Sequence, residues 1–253
     1  MQFDVISSGS KGNATIIISH GHVLLIDFGI SKRRISTSLK EYGFSFDDLE
    51  AIFITHTHSD HASNVASAPM EKLYAPQKKL PGIEETIDPS HFVSPFQEFE
   101  ISVFKVKALP MSHDCPNTMA YLVSDGEEEL AIVTDTGFIP EKSQQFLMGK
   151  DYYIFESNHD PEMLYQSKRP EYLIRRIISD KGHLSNTDAS YYLSTFITSN
   201  TKEVILAHLS DECNKPSIAM NVFEQVMQVQ LGYIPSVLLR CASDLGEEVK
   251  GGR

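Results

Sequence analysis

The chain has 253 residues, 41% hydrophobic and 22% charged, with a formal net charge of −12. That size and balance fit a soluble globular protein that buries most of its apolar surface without disulfides. They argue against holding nucleic acid by bulk charge alone, since such proteins are usually basic.

Cys115, Cys213 and Cys241 are widely spaced and form no CxxC pair, which suits a reducing cytoplasm. The start "MQFDVISSGSKGN" has no basic segment followed by an apolar run, and no stretch is long enough to span a bilayer. A cytoplasmic location and no membrane partner are therefore expected. With no Pro/Gly/Ser-rich linker and no internal repeat, residues 1–253 read as one domain.

In chain order, "MQFDVIS", "NATIIIS" and "HVLLIDF" read as strands, and the turn "SHGH" as a solvated hairpin tip. "SKRRISTSLKEYG" reads as a helix capped by Ser31 and stopped at Gly43. "LEAIFIT" is a buried strand, followed by a helix over "HASNVAS". Short strands are expected at "KLYA", "HFVS" and "EISVFKVKAL", then a hairpin from "TMAYLVS" and "ELAIVTD". "PEKSQQFLMG" is helical and "KDYYIFES" a strand. Helices follow over "PEMLYQS", "PEYLIRRIIS" and "NTDASYYLSTFITS", each with a start signal. A strand "TKEVILAHLS", a helix "KPSIAMNVFEQVMQVQLG" and a strand "SVLLRC" complete the series, and the tail "EEVKGGR" reads as disordered. Strands first, then helices and strands mixed, suggest two packed sheets with helices outside.

"THTHSDH" concentrates metal-binding side chains at a strand end: His56, His58, Asp60 and His61. Imidazole and carboxylate suit zinc or manganese, with iron a third option. Neighbouring side chains diverge, so one tetrahedral ion cannot easily use all of them. Two ions satisfy them better, His56 and His58 taking one and Asp60 and His61 the other. His113, Asp135 and His208 each end an apolar run and supply the further ligands a pair needs.

HxHxDH followed by a later His, Asp and His resembles the metallo-β-lactamase superfamily. The resemblance implies an αββα sandwich of α/β class. It implies that His56, His58 and His113 bind one metal, that Asp60, His61 and His208 bind the second, and that Asp135 bridges. "ISSGSKGN", "LIDFG", "ESNHD", "GHLSN" and "AHLS" are similar to the YycJ/WalJ group of exonuclease-like hydrolases. The pattern departs from the usual one at "HDCPNTMAY", where Cys115 has no assigned role, and at "HLSDECNKP". Glu156 and His183 resemble the acidic and Gly-His motifs of the β-CASP nucleases, without the insertion that defines that branch. His183 would then hold a phosphate or protonate the leaving oxygen, or else simply pair with Glu156.

The turn "GSKGN" offers Ser10, Lys11 and Asn13, and either binds an anion or is a plain hairpin. His159 and Asn186 are the other candidate substrate contacts. "SKRR" and "RRIISDK" are the dense basic patches. Paired Tyr152–Tyr153 and Tyr191–Tyr192 could stack bases but suit a core equally.

The expected function is a dinuclear metal-dependent phosphodiesterase, exonuclease-like, acting on DNA or RNA. Its catalytic residues are Asp60, Glu156 and His183, with Asp60 as ligand and base. The alternatives are a hydrolase of a small phosphodiester, thioester or lactone, and a non-catalytic metal-holding binder.

Overall fold

Strands β1 (Gln2–Ser7), β2 (Ala14–Ser19) and β3 (His22–Ile26) form an antiparallel meander, and β4 (Leu49–Phe53) and β5 (Leu73–Tyr74) add to it in parallel. Helix α1 (Lys32–Glu41) links β3 to β4; Ser31 Oγ accepts from Arg34 N–H at its start. These elements come from a computed structural model that describes residues 1–242 and 248–252. A short helix α2 (Ser59–Ala62) follows β4.

The hairpin of β6 (Glu98–Ile101) and β7 (Phe104–Pro110) opens a second sheet, which β8 (Met119–Ser124) and β9 (Glu129–Val133) extend. After α3 (Glu141–Leu147) comes β10 (Tyr152–Glu156), parallel to β9. Helices α4 (Pro161–Gln166), α5 (Glu171–Ile177) and α6 (Asn186–Phe196) precede β11 (Glu203–Ala207), and α7 (Pro216–Leu231) precedes β12 (Leu238–Cys241). Strand β13 (Val249–Gly252) returns to the first sheet. The sheet orders are β13-β1-β2-β3-β4-β5 and β12-β11-β10-β9-β8-β7-β6.

Side-chain alternation shows why the sheets stack. On β2, Ile17 faces the space between the sheets, while Ile16 and Ile18 face outward under α1 with Ile35 and Leu39. On β10, Tyr152 and Ile154 face inward; Tyr153 and Phe155 face outward against Leu193 and Phe196 of α6 and Phe223 of α7. Apolar residues on both faces explain why these strands read as continuous hydrophobic runs. The result is the expected αββα sandwich. Tyr152 and Tyr153 are core, with Tyr153 Oη donating to the carbonyl of Leu147 at 2.6 Å, whereas Tyr191 is exposed.

Four local expectations give way. The segment "HASNVAS" stops being α-helical at Ala62, and a separate 3₁₀ turn covers Val65–Ser67. The backbone there bonds to the end of β3 instead: Phe28 N–H to His61 O at 2.8 Å and Asn64 N–H to Phe28 O at 3.1 Å. "HFVS" is no strand but a 3₁₀ turn at Pro89–His91 with an isolated bridge from Ala75 to Phe92. "EISVFKVKAL" folds back as a hairpin because Ser102 takes a left-handed φ of 51°. The tail is ordered at Val249–Gly252, while Glu247 and Arg253 lie outside the described residues. Strand pairing uses backbone groups, so the sparse side chains did not signal it. The ring of Phe3 would lie 2.3 Å from a Cβ at Gly251, so only glycine allows this approach.

Ending the chain after residue 247 should therefore leave β1 as an open edge and uncover Phe3. A melting midpoint lowered by several degrees, with increased aggregation, is the expected outcome; an unchanged melt would show that β13 adds nothing.

Candidate metal centre

The strands β4, β7, β9, β10 and β11 all end at one rim, and the polar residue just beyond each apolar run turns into it. Loops outside the carboxyl ends of parallel strands are where open α/β sheets build sites. Asp27 after β3, Asp135 after β9 and His208 after β11 have φ of 62°, 55° and 54°. Left-handed backbone in non-glycine residues is uncommon and concentrates at functional sites.

The structure brings all seven candidate ligands together in two sets: His56, His58 and His113; and Asp60, His61, Asp135 and His208. A third overlapping set joins Asp135 and His208 to Glu156 and His183. Asp135 is the common member, its Oδ2 2.8 Å from His61 Nε2 and its Oδ1 3.9 Å from His113 Nε2. Buried polar atoms are normally hydrogen-bonded, yet His56 Nε2 and His208 Nε2 are buried without a hydrogen bond. Such orphaned donor atoms in a nitrogen–carboxylate set fit divalent cations.

Their outer partners fix the ligands. His113 Nδ1 faces the carbonyl of Gly182 at 3.1 Å, so its Nε2 is left for the centre. His61 Nδ1 lies 2.7 Å from Asp27 Oδ2, and Thr55 N–H and Oγ1 donate to Asp27 Oδ1 at 2.8 and 2.9 Å. Asp27 was not singled out from the sequence, although "LIDFG" shows the same signal as Asp135, an acid ending an apolar strand.

The "GSKGN" turn braces this loop. Asn13 N–H donates to Asp60 O at 2.7 Å, and its side-chain amide engages Gly9, Asp60 and His61. A Cβ at Gly29 would sit 1.6 Å from Asp60 O, so glycine is needed for β3 to approach the ligand loop. The backbone N–H groups of Gly9, Gly12 and Asn13 are engaged within the chain, as in a hairpin.

Asn13 and Asn186 are both buried and serve as braces; Asn186 exchanges hydrogen bonds with Ser157 and Asn214. His159 is buried with Nδ1 unpartnered, and burial pushes its pKa down to about 4. Ser10 and Lys11 are exposed, and Lys11 pairs with Asp211. Cys115 is buried with Thr57 Oγ1 3.5 Å away.

Glu156 is fully buried. Its Oε2 accepts from Thr136 N–H at 2.9 Å and Leu184 N–H at 3.2 Å, and its Oε1 lies 2.7 Å from His183 Nδ1 and 3.1 Å from His208 Nδ1. Burial alone would raise its pKa, but the two imidazoles hold it at about 2. Burial disfavours charge on His61 and His208 too, yet the carboxylates around them win. Asp27 and Asp135 push His61 well up, and Asp135, Asp60 and Glu156 push His208 up to about 10. His56, with burial and three neighbouring histidines against it, is held neutral.

An exodeoxyribonuclease YycJ of Bacillus anthracis is 32% identical over 236 residues, covering 90% of this chain and 89% of the relative. The chain belongs to the YycJ/WalJ family of metallo-β-lactamase-fold hydrolases. A WalJ exodeoxyribonuclease of Streptococcus pneumoniae is 31% identical over 242 residues, 91% of this chain and 90% of that one. Residues 6–85 also match the family described as Anti-Pycsar protein Apyc1. Among solved structures, the metallo-β-lactamase-fold protein YhfI of Bacillus subtilis superposes with a TM-score of 0.69, at 15% identity and over 99% of both chains. That likeness supports the fold of this YycJ/WalJ member. Among its described residues no helix is long and apolar enough to cross a membrane.

Raised folded pKa values mean that His61 and His208 keep their protons, and the stability these give, up to high pH, to about 10 for His208; rising pH removes both. Cation coordination expels the same protons. Calorimetric titration of chelator-treated protein with Zn²⁺ or Mn²⁺ should release protons, and affinity should rise from about pH 6 to about pH 8.5. An affinity flat across that range would exclude these histidines as ligands.

Proposed function

We propose that the protein is a dinuclear metal-dependent phosphodiesterase, an exonuclease-like nuclease acting on DNA or RNA in the cytoplasm, with the whole chain as one catalytic domain. The observation that carries this reading is the convergence of orphaned ligand atoms with a buried Glu156–His183 pair beside them. His56, His58 and His113 would hold one ion and Asp60, His61 and His208 a second, with Asp135 within reach of both sets. Zinc and manganese fit this donor chemistry, and iron is a third option. The naming of the two family relatives as exodeoxyribonucleases favours DNA.

Bound divalent ions supply Lewis acidity, acidifying water and drawing charge from phosphate oxygens. Asp60, partly open to the cleft, accepts the proton of the attacking water on a carboxylate oxygen. His183, one-fifth exposed, gives a proton to the leaving oxygen while Glu156 holds its Nδ1. Glu156 keeps the ring aligned toward the cleft. Ser10 and Lys11 at the rim contact the backbone of the incoming strand. Local cation charge at the centre offsets the −12 of the chain.

Purified protein loaded with Zn²⁺ or Mn²⁺ should degrade end-labelled DNA or RNA, and chelation should stop it. It should turn over bis-p-nitrophenyl phosphate but not thioesters or lactones. No cleavage by protein with both ions confirmed would remove the proposal. His183→Ala should lower kcat about 10²- to 10⁴-fold with metal content intact, the usual worth of a general acid. A loss of metal instead would make His183 a ligand.

A further inference from the structure

Residues 176–183 lie as a strap along the first histidine set. Ser112 Oγ donates to Asp180 O at 2.7 Å, and Gly182 O faces His113 Nδ1. A Cβ at Gly182 would fall 2.0 Å from Ile177 O, so the strap turns tightly there. One end carries Arg176 and the other His183, and both side chains reach the centre's surroundings.

Arg176 is exposed over 55% of its side chain, and its Nε donates to Asp114 Oδ2 at 2.5 Å. The other carboxylate oxygen, Asp114 Oδ1, lies 3.3 Å from His113 Nε2 and 3.5 Å from His58 Nε2. Asp114 is thus an anion wedged between a surface guanidinium and two histidines of the first ligand set. Neither partner is deeply buried; Asp114 is 27% exposed, so the pair can separate. Exposed ion pairs add little net stability, so exchanging one partner for another anion costs little.

A phosphate makes the same demands as this carboxylate: the imidazole ligand set on one side and planar N–H donors on the other. Arg175, the neighbouring cation, is engaged one turn back on its own helix, 2.5 Å from Glu171. Building on the phosphodiesterase reading, we propose that Arg176 is the residue that recognises the substrate phosphate at the first ligand set, and that Asp114 holds that phosphate's place when substrate is absent. On entry, the phosphate takes the guanidinium and Asp114 turns toward solvent; no covalent bond changes. An uncharged thioester or lactone gains nothing from this exchange, so Arg176 sets the preference for phosphodiesters.

The test is calorimetric binding of thymidine 5′-monophosphate and inorganic phosphate to metal-loaded protein, with kinetics on bis-p-nitrophenyl phosphate. Arg176→Ala should weaken nucleotide binding and raise KM about tenfold or more, as expected for losing hydrogen bonds to a charged group, with kcat and metal content little changed. Arg176→Lys should fall between, keeping the charge without the fork. Asp114→Asn should tighten phosphate binding several-fold, because the competing charge is gone. Unchanged binding in Arg176→Ala, or weaker phosphate binding in Asp114→Asn, overturns the proposal. Wild-type protein that binds nucleotide through Arg176 but cleaves no phosphodiester keeps the anion subsite and loses the phosphodiesterase reading. Cleavage by Arg176→Ala at the wild-type KM does the reverse.

Discussion

The buried charge of Asp135 is the constraint on which the rest depends. Its carboxylate is almost fully buried, in left-handed backbone, within reach of both ligand sets and of the Glu156–His183 pair. A buried carboxylate is strongly unfavourable unless compensated. With Asp27, Asp60 and Glu156 close by, the centre carries an acidic excess that imidazolium protons balance in the absence of cations. The sandwich is built to hold that imbalance, and such an acidic excess favours divalent ions.

Two levels of support keep it in place. The first is the sheet pair, whose strands are apolar on both faces and end at one rim. The second is a shell of backbone and amide contacts. Asn13 and Gly29 bring the Asp60 loop against β3, Asp27 fixes His61, and Gly182 fixes His113. Outer contacts of this kind set ligand orientation as much as the ligands do. The "GSKGN" turn and the Gly-His segment therefore act on the centre from behind and beside it.

In the proposed function the strap at 176–183 links recognition to chemistry. It supplies Arg176 at the mouth, the Gly182 carbonyl behind His113, and His183 beside Glu156. A short segment anchored at Ser112 thus touches Asp114, His113 and Glu156 together. On that proposal the overall negative charge is no obstacle, because Arg176 stands at the mouth of the centre.

The sequence by itself determined the sandwich and marked the seven candidate ligands that gather at its rim. Continuous apolar runs mark strands buried on both faces, and a His or Asp ending such a run can only emerge at the rim. It also marked Glu156 and His183 and the option that they pair, which the fold realises across 27 positions. Only the tertiary structure decided which polar residues face the cleft and which brace it. Asn13 and Asn186 look like ligand-binding amides in the chain but close hydrogen bonds inside it. Asp27 and Asp114 look ordinary until His61 and Arg176 lie beside them. The glycine-rich tail joins β1 through backbone bonds that no side chain announces. Periodicity records which face a residue takes along its own strand; a partner far along the chain leaves no local trace, so the contacts that tune the centre appear only when the sheets meet.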